Sequence, residues 1–491
     1  MRPRLLAEDV DFSFVLPDDP VTADLVTDLE LAVLWEGMAR GDGRLRTIAA
    51  AVTLRPRTDP AALAYRQDVL ADCLRNPDAV RALYDLAHEA VEEEDKVIRG
   101  IGGRSDGLLR RALRVLEAFC GRLRSLAALA AAHRKAFSSP AFTRLFTMLA
   151  ANLDARYLRE VEELLVLLEF EGGIAVTGGL GPGNRPAGFR LHPPPGARPD
   201  RRSRKARLRH KASGESDDDW RALASFRADL LGGAADAATA SADDVRDFFA
   251  ALRDELGFYV GCLNLAETLS AHGLPLCRPE HRPPGEGALS ARGLYDPCLA
   301  LRLDAPVTGN DLDADGIALV MVTGANRGGK STFLRGLGVA TLMAQSGMFA
   351  PAASYRATPA DGVFTHFRRE EDRTLTSGRL AEELGRLSAI ADLLRPGSLL
   401  LSNESLSSTG EEEASAIAAD LLRAFTAHGV RVALVTHLHA LAHATHTAPP
   451  APVLSLRAER TPDGARTFRL TPAPPSASAH ATDLYRRILD R

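Results

Sequence analysis

The sequence predicts an α+β multidomain chain: an all-α region over residues 1–285, then an α/β domain over 286–491 built round a phosphate-binding loop. Three observations lead there. Up to about residue 270, apolar residues recur at the three-and-four spacing of helices. The run Arg278-Pro-Glu-His-Arg-Pro-Pro-Gly-Glu286 then interrupts that spacing. From Gly293 onward, apolar runs alternate with helical patterns, and one junction reads Gly324-Ala-Asn-Arg-Gly-Gly-Lys330-Ser331.

Composition narrows the class. The 491 residues hold 45 % hydrophobic and 25 % charged side chains, as an ordinary globular chain does. A formal net charge of −4 excludes whole-chain attraction to nucleic acid, so such binding would need a local basic patch. Cys73, Cys120, Cys262, Cys277 and Cys298 are scattered without a Cys-x-x-Cys pair. That argues against a zinc site or a disulfide framework and for reduced core thiols. No apolar run of about 18 residues and no signal-type start occur, so the expected location is cytoplasmic.

In the first region, Leu109, Leu113, Leu116, Cys120 and Leu123 mark one face of a helix started by Ser105 or Asp106. Ser139-Pro140 opens the next, with proline in the first turn. Its stripe runs Phe142, Leu145, Leu149, Leu153, Tyr157, Val161, Leu164 and Leu168 to Gly172-Gly173, which predicts a continuous rod of roughly 45 Å. A further helix is expected from Ser241, with Asp244 at capping-box spacing, carrying Phe248, Leu252, Leu256 and Tyr259. Such helices suit lever arms or a plain bundle, and periodicity does not separate the two. Residues 171–219 are rich in Gly and Pro. Within them, 198–211 packs eight Lys/Arg against one acid, Asp200. That segment reads either as a solvated loop or as a basic finger for phosphate backbone.

In the second region, Ile317–Thr323 reads as a buried strand and Ser331 to about Ala344 as a helix, so the glycine-rich loop has strand–turn–helix context. Amides at a helix start face phosphate oxygens, and the helix dipole favours their charge. Gly324, Asn326, Gly328, Gly329, Lys330, Ser331 and Thr332 form the expected cradle for ATP. Lys330 reaches the β/γ-phosphates and the Ser331 hydroxyl meets Mg2+. In a chain with 5 Lys against 55 Arg, a lysine stands where a compact ammonium is needed. Ser398–Leu401 is a second buried run, ending in Ser402-Asn403-Glu404. Glu404 at that strand end is the candidate general base. Asn403 stands where an Asp would ordinarily hold the Mg2+ shell, offering a carbonyl but no charge. A third run, Val430–Thr436, ends in His437, placed to touch the γ-phosphate and Glu404. Lys330, Glu404 and His437 are thus the catalytic candidates, Ser331 and Asn403 the metal candidates, and His439 and His443 surface residues.

Taken together, residues from about 293 to 446 resemble the ATPase domain of the MutS family, the DNA mismatch-repair proteins of the ATP-binding-cassette (ABC) class. The resemblance rests on Thr323–Arg335, Ala344-Gln-Ser-Gly-Met-Phe-Ala-Pro-Ala352, Phe364-Thr365, Asn403-Glu404 and Thr436-His437-Leu-His-Ala-Leu441. Gly309-Asn310-Asp311 looks like the segment near the base. Tyr65–Leu70 with Asn76-Pro77 looks like the start of the family's core domain, and the long helices look like its levers. The resemblance implies an ABC-type P-loop ATPase using ATP and Mg2+. It also implies a homodimer in which Ser377 and Gly378 of one chain reach the other's γ-phosphate, and DNA as partner.

Departures accompany it. No mismatch-reading domain is expected before the core and no nuclease domain after it. Leu380 stands where a serine is expected, and Ser405-Leu-Ser-Ser-Thr409 replaces a glycine-containing turn. These changes suggest a short MutS-like branch. Two alternatives stay open: an ATP-gated clamp on branched DNA, RNA or ribosomes, and a nucleotide-dependent scaffold with little hydrolysis.

Overall fold

The computed structural model describes residues 1–99, 106–169, 175–180, 186–192, 217–369, 378–461 and 465–475. These hold fourteen α-helices and three sheets. The chain divides into two compact units, Met1–Arg4 with Asn76–Leu256, and Leu5–Arg75 with Gly257–Arg491. The boundary drawn near 285 therefore lies inside the second unit, and residues 5–75 belong with the later part of the chain.

The first unit is mainly helical: Pro77–Arg99, Asp106–His133, Pro140–Asn152, Ala155–Leu168 and the start of Asp217–Ala271. The stripe on Asp106–His133 is buried as expected, with Leu109, Leu113 and Cys120 packed against Leu165 and Ala238. The 45 Å rod is not continuous. Asp154 breaks it by accepting from the amides of Arg156 and Tyr157 and capping a new helix. The break changes the buried face, so Leu158 and Leu165 go inside while Tyr157 and Leu164 are 50 % and 54 % exposed. Ser241 starts no helix; it lies within Asp217–Ala271, and its hydroxyl donates to the Ala237 carbonyl one turn back. Nor is the region purely α-helical. Ala175–Leu180 and Pro186–His192 pair as an antiparallel hairpin within the Gly/Pro-rich stretch. The basic tract 198–211 lies outside the described residues.

The second unit is built on a six-stranded sheet ordered Arg466–Pro472, Val453–Arg460, Leu319–Thr323, Arg431–Val435, Leu399–Asn403, Val363–Phe367. All neighbours are parallel except the first pair. Leu319–Thr323 is buried at every position, and Leu399–Asn403 at all but the last, which explains their near-continuous apolar runs. Leu319, Leu400, Val432, Leu434, Ile390 and Leu422 share one core. A second, four-stranded sheet is ordered Glu280–His281, Ser354–Ala357, Leu289–Leu294, Asn310–Asp313.

Residues 5–75 join this unit through buried polar anchors. Arg66 is 0 % exposed; its Nε donates to the Leu6 carbonyl at 2.7 Å and its Nη1 to the Ser346 carbonyl at 3.2 Å. A buried guanidinium needs such acceptors. Periodicity carries no trace of that requirement, so these helices read from sequence as part of the helical half.

Candidate functional site

The carboxyl ends of three neighbouring parallel strands bring the site together, where open α/β sheets bind ligands. Leu319–Thr323 runs into the glycine-rich loop, and helix Lys330–Gln345 leaves it. Leu399–Asn403 ends at Asn403-Glu404, and Arg431–Val435 ends just before Thr436-His437.

The loop needs its glycines. Gly324 has φ +117° and Gly329 φ +89°, in the left-handed region that side chains avoid. A Cβ at Gly324 would also stand 3.0 Å from the Ala458 amide nitrogen, because strand Val453–Arg460 runs parallel beside Leu319–Thr323, with Arg457 opposite Thr323, and continues past the start of the loop. Gly328 packs against the same Ala458, while Asn326 is exposed and Thr332 half-buried.

Lys330 is 4 % exposed, and its Nζ donates to the Gly324 and Ala325 carbonyls, each at 3.0 Å. Burial holds its pKa below the ordinary lysine range, and Arg466 pushes the same way against the pull of Glu404. Among the described residues no carboxylate forms an ion pair with it. A desolvated ammonium at a helix start beside left-handed glycines is suited to receive an anion.

The Ser331 hydroxyl donates to Asn403 Oδ1 at 2.8 Å across 72 residues of sequence. Next to it, His437 Nε2 lies 2.7 Å from Glu404 Oε1. A carboxylate oxygen only accepts, so the proton sits on Nε2. That hydrogen bond, opposed by burial and helped by the charges of His437, Lys330 and Arg368, holds the Glu404 carboxyl below the usual range. Glu404 is therefore an oriented, ionised carboxylate beside the loop. Its backbone is left-handed, φ +54°, and its amide is fixed to the Val435 carbonyl at 2.9 Å.

Lys330, Ser331, Asn403, Glu404 and His437 thus meet. Gly378 does not join them. It is exposed and precedes helix Arg379–Ala391, accepting from the Ala381 amide at 3.0 Å. Ser377 lies outside the described residues. For Mg2+, Ser331 and Asn403 supply a hydroxyl and a carbonyl, and no cluster of three or more His, Cys, Asp or Glu that could hold a metal exists among the described residues. The donor set therefore fits an ion that brings most of its oxygen ligands with a polyphosphate and its water.

Sequence reasoning missed two parts of the site. The strand pair Val453–Arg460/Arg466–Pro472 lies against the loop, and Phe468, with φ +58°, backs Gly329. Asn310 clamps that strand, donating to the Phe468 carbonyl at 3.2 Å and accepting from the Leu470 amide at 2.7 Å. A cleft of about 320 Å3 opens beside it, lined by Asn310, Asp311, Arg292, Arg469 and Thr471. The second missed part is His366 with Ser405, behind Glu404. The run Phe364-Thr-His-Phe367 was its signal, since a histidine buried within a strand needs a polar partner.

Two segments of the chain are similar to known proteins. The family model described as MutS2 N-terminal domain matches residues 58–272, and that described as MutS domain V matches 320–472. The DNA mismatch repair protein MutS of Chloroflexus aurantiacus is 33 % identical over 150 residues, 30 % of this chain and 16 % of that protein. The Endonuclease MutS2 of Thermus thermophilus is 33 % identical over 123 residues, 25 % of this chain and 16 % of that protein. The DNA mismatch repair protein Msh6 of Gallus gallus is 32 % identical over 180 residues, covering 34 % and 14 % respectively. The similarity thus spans under a fifth of each relative's length.

Proposed function

The chain belongs to the MutS-like family, and on that premise we propose that it binds ATP with Mg2+, hydrolyses it, and couples nucleotide-driven closure of a homodimer to binding of DNA. The observation that carries the reading is the pair of contacts at the strand ends, Ser331–Asn403 and His437–Glu404, beside the buried ammonium of Lys330. They supply a phosphate cradle, a polar seat for the metal and an oriented carboxylate, the parts phosphoryl transfer to water requires.

In this reading, loop amides and Lys330 hold the triphosphate. Ser331 and Asn403 would hold Mg2+, which would supply charge shielding for the triphosphate. Glu404 accepts a hydrogen bond from the attacking water, and His437 orients Glu404 next to the γ-phosphate. Ser377 and Gly378 act on the nucleotide of the partner copy. DNA is held by the helical region, and the family's use in mismatch repair or a related DNA transaction is the expected setting.

The test is direct binding of Mg–ATP, then of duplex, mismatched and branched DNA with a non-hydrolysable analogue across a salt series. DNA binding that weakens steeply with salt supports the reading. No DNA binding down to low ionic strength removes its second half. Lys330→Ala is expected to weaken ATP binding about 10- to 150-fold, the worth of a charge-assisted contact of about 1.5–3 kcal/mol. Calorimetric titration reads this, and unchanged affinity would put the phosphates elsewhere.

Asn403→Asp keeps an acceptor for the Ser331 hydroxyl and adds a charge. The Mg2+ concentration for half-maximal turnover should fall several-fold while kcat holds or rises. A collapse of kcat would mean that the neutral amide is itself required.

A further inference from the structure

Behind Glu404 lies a buried histidine that the reading above does not use. His366 sits on the edge strand Val363–Phe367, opposite Ser402 in register, and is 0 % exposed. Its Nδ1 is 2.6 Å from Ser405 Oγ. That hydroxyl also donates to the His366 carbonyl at 2.9 Å and lies 2.8 Å from Ser402 Oγ.

The protons fix the arrangement. A serine hydroxyl has one proton to give and two lone pairs. With its proton on the His366 carbonyl, the short Nδ1 contact takes its proton from the ring and the Ser402 contact from Ser402. On that assignment of the Ser405 proton the ring is the neutral Nδ1–H tautomer, and its buried Nε2 has no hydrogen-bond partner among the described residues. Burial, and then the charge of Arg386, hold its pKa down to about 4, so it remains neutral at working pH.

Ser405 needs this anchoring. Glu404 and Leu406 on either side of it both have left-handed backbone, φ +54° and φ +62°. Non-glycine residues keep that geometry only where surrounding contacts over-determine it. The same turn is tied to helix Arg379–Ala391: Ser408 donates to Glu383 Oε2 at 2.5 Å, and Leu406 packs in one cluster with Leu387 and Ala414.

We propose that His366 and Ser405 are positioning residues for Glu404: through their hydrogen bonds to each other and to Ser402 they lock the turn that aims the carboxylate at His437 and the glycine-rich loop, and Ser408–Glu383 links that aim to helix Arg379–Ala391. The inference rests on the hydrolytic reading of the site.

The test uses the full chain as wild type, Ser405→Ala, His366→Leu and His366→Asn. The asparagine keeps a donor near the Nδ1 position, and the leucine does not. Ser405→Ala and His366→Leu are expected to lower kcat about ten- to a hundred-fold, the scale of a misplaced catalytic group. ATP affinity should stay within about two-fold, as for an interaction absent from ground-state binding. His366→Asn should recover part of the lost kcat. A wild-type kcat in Ser405→Ala overturns the proposal, and so does a His366→Asn variant no better than His366→Leu. One readout is independent of turnover. The Glu404 carboxyl, assigned by 13C NMR against Glu404→Gln, should titrate below the ordinary range in wild type and move up in Ser405→Ala. If wild type hydrolyses no ATP, the hydrolytic reading fails while that titration still decides whether the turn aims Glu404.

Discussion

Glu404→Gln is expected to retain Mg–ATP and to lose hydrolysis by about 10²- to 10⁴-fold in kcat, the usual contribution of a positioned general base. The substitution is isosteric, and an amide oxygen can still accept from His437 Nε2, so the turn keeps its 2.7 Å contact in form. What disappears is the charge and the capacity to take a proton from water. The pH profile gives a second reading. The hydrogen bond from His437, against the cost of burial and with the charges of His437, Lys330 and Arg368, holds the Glu404 carboxyl below the ordinary range. Its ionised form is therefore present through the whole neutral range, and the acid limb of wild-type kcat falls below about pH 4.3, the unperturbed glutamate value. The stability sign follows from the same shift. A depressed folded pKa contributes stability above the unfolded value, and that stability is lost as pH falls through the folded one. Phosphate release at saturating ATP, with filter retention of bound nucleotide, measures both halves. Equal rates for wild type and Glu404→Gln would falsify the assigned role.

The parts of this site legible in the sequence are those fixed over short stretches. A buried parallel strand must be apolar at consecutive positions, so the runs before Gly324, Asn403 and His437 announce themselves, and the glycines mark where left-handed backbone is required. Of the contacts across the sheet, Glu404–His437 was legible because each residue ends a buried apolar run, whereas Ser331 and Asn403, 72 positions apart, were legible only as two candidates for one metal and not as a contact. The break at Asp154 was hidden because the apolar spacing continues through it and an aspartate is ambiguous between a helix surface and a cap. Ser241 misled in the opposite direction: its hydroxyl satisfies itself on the Ala237 carbonyl, which spacing cannot distinguish from capping. The attachment of residues 5–75 to the second unit depends on single buried polar groups such as Arg66, and no periodic signal reports those. His366 was visible as a residue type but not as a network, since its partner Ser405 lies in a turn whose left-handed residues are not glycines.

Replacing Arg335 by alanine is expected to cost the fold about 3–5 kcal/mol, the penalty for stranding a buried charge. Arg335 lies on the helix that leaves the glycine-rich loop, one turn after Ser331. Its Nε meets Asp296 Oδ2 at 2.6 Å and its Nη1 meets Glu30 Oε1 at 2.6 Å. Glu30 keeps a second partner in Arg302 at 2.8 Å, so it survives the change. Asp296 does not, because its side chain is 0 % exposed and its other oxygen is committed to the amides of Cys298 and Leu299. Burial already raises its carboxyl above the ordinary range with Arg335 beside it. Without Arg335 it rises further: above that pKa the variant buries a lone anion, and below it Asp296 binds a proton. The cost is thus fully present above the raised folded pKa, shrinks as pH falls through it, and is gone below the unfolded value, where Asp296 is neutral in both states. Urea unfolding at pH 7.5 and pH 5.5, followed by Trp35 fluorescence in a Trp220→Phe background, reads the difference. Arg335→Ala/Asp296→Asn should recover most of the loss, because asparagine caps helix Pro297–Leu303 as well as aspartate does and carries no charge. A single-variant cost below about 1 kcal/mol, unchanged by pH and unrelieved by the second substitution, would make the triad a surface-grade pairing. The glycine-rich loop would then owe its placement to the sheet alone, with no contribution from Glu30, in the turn between helices Pro20–Asp28 and Leu31–Ala39.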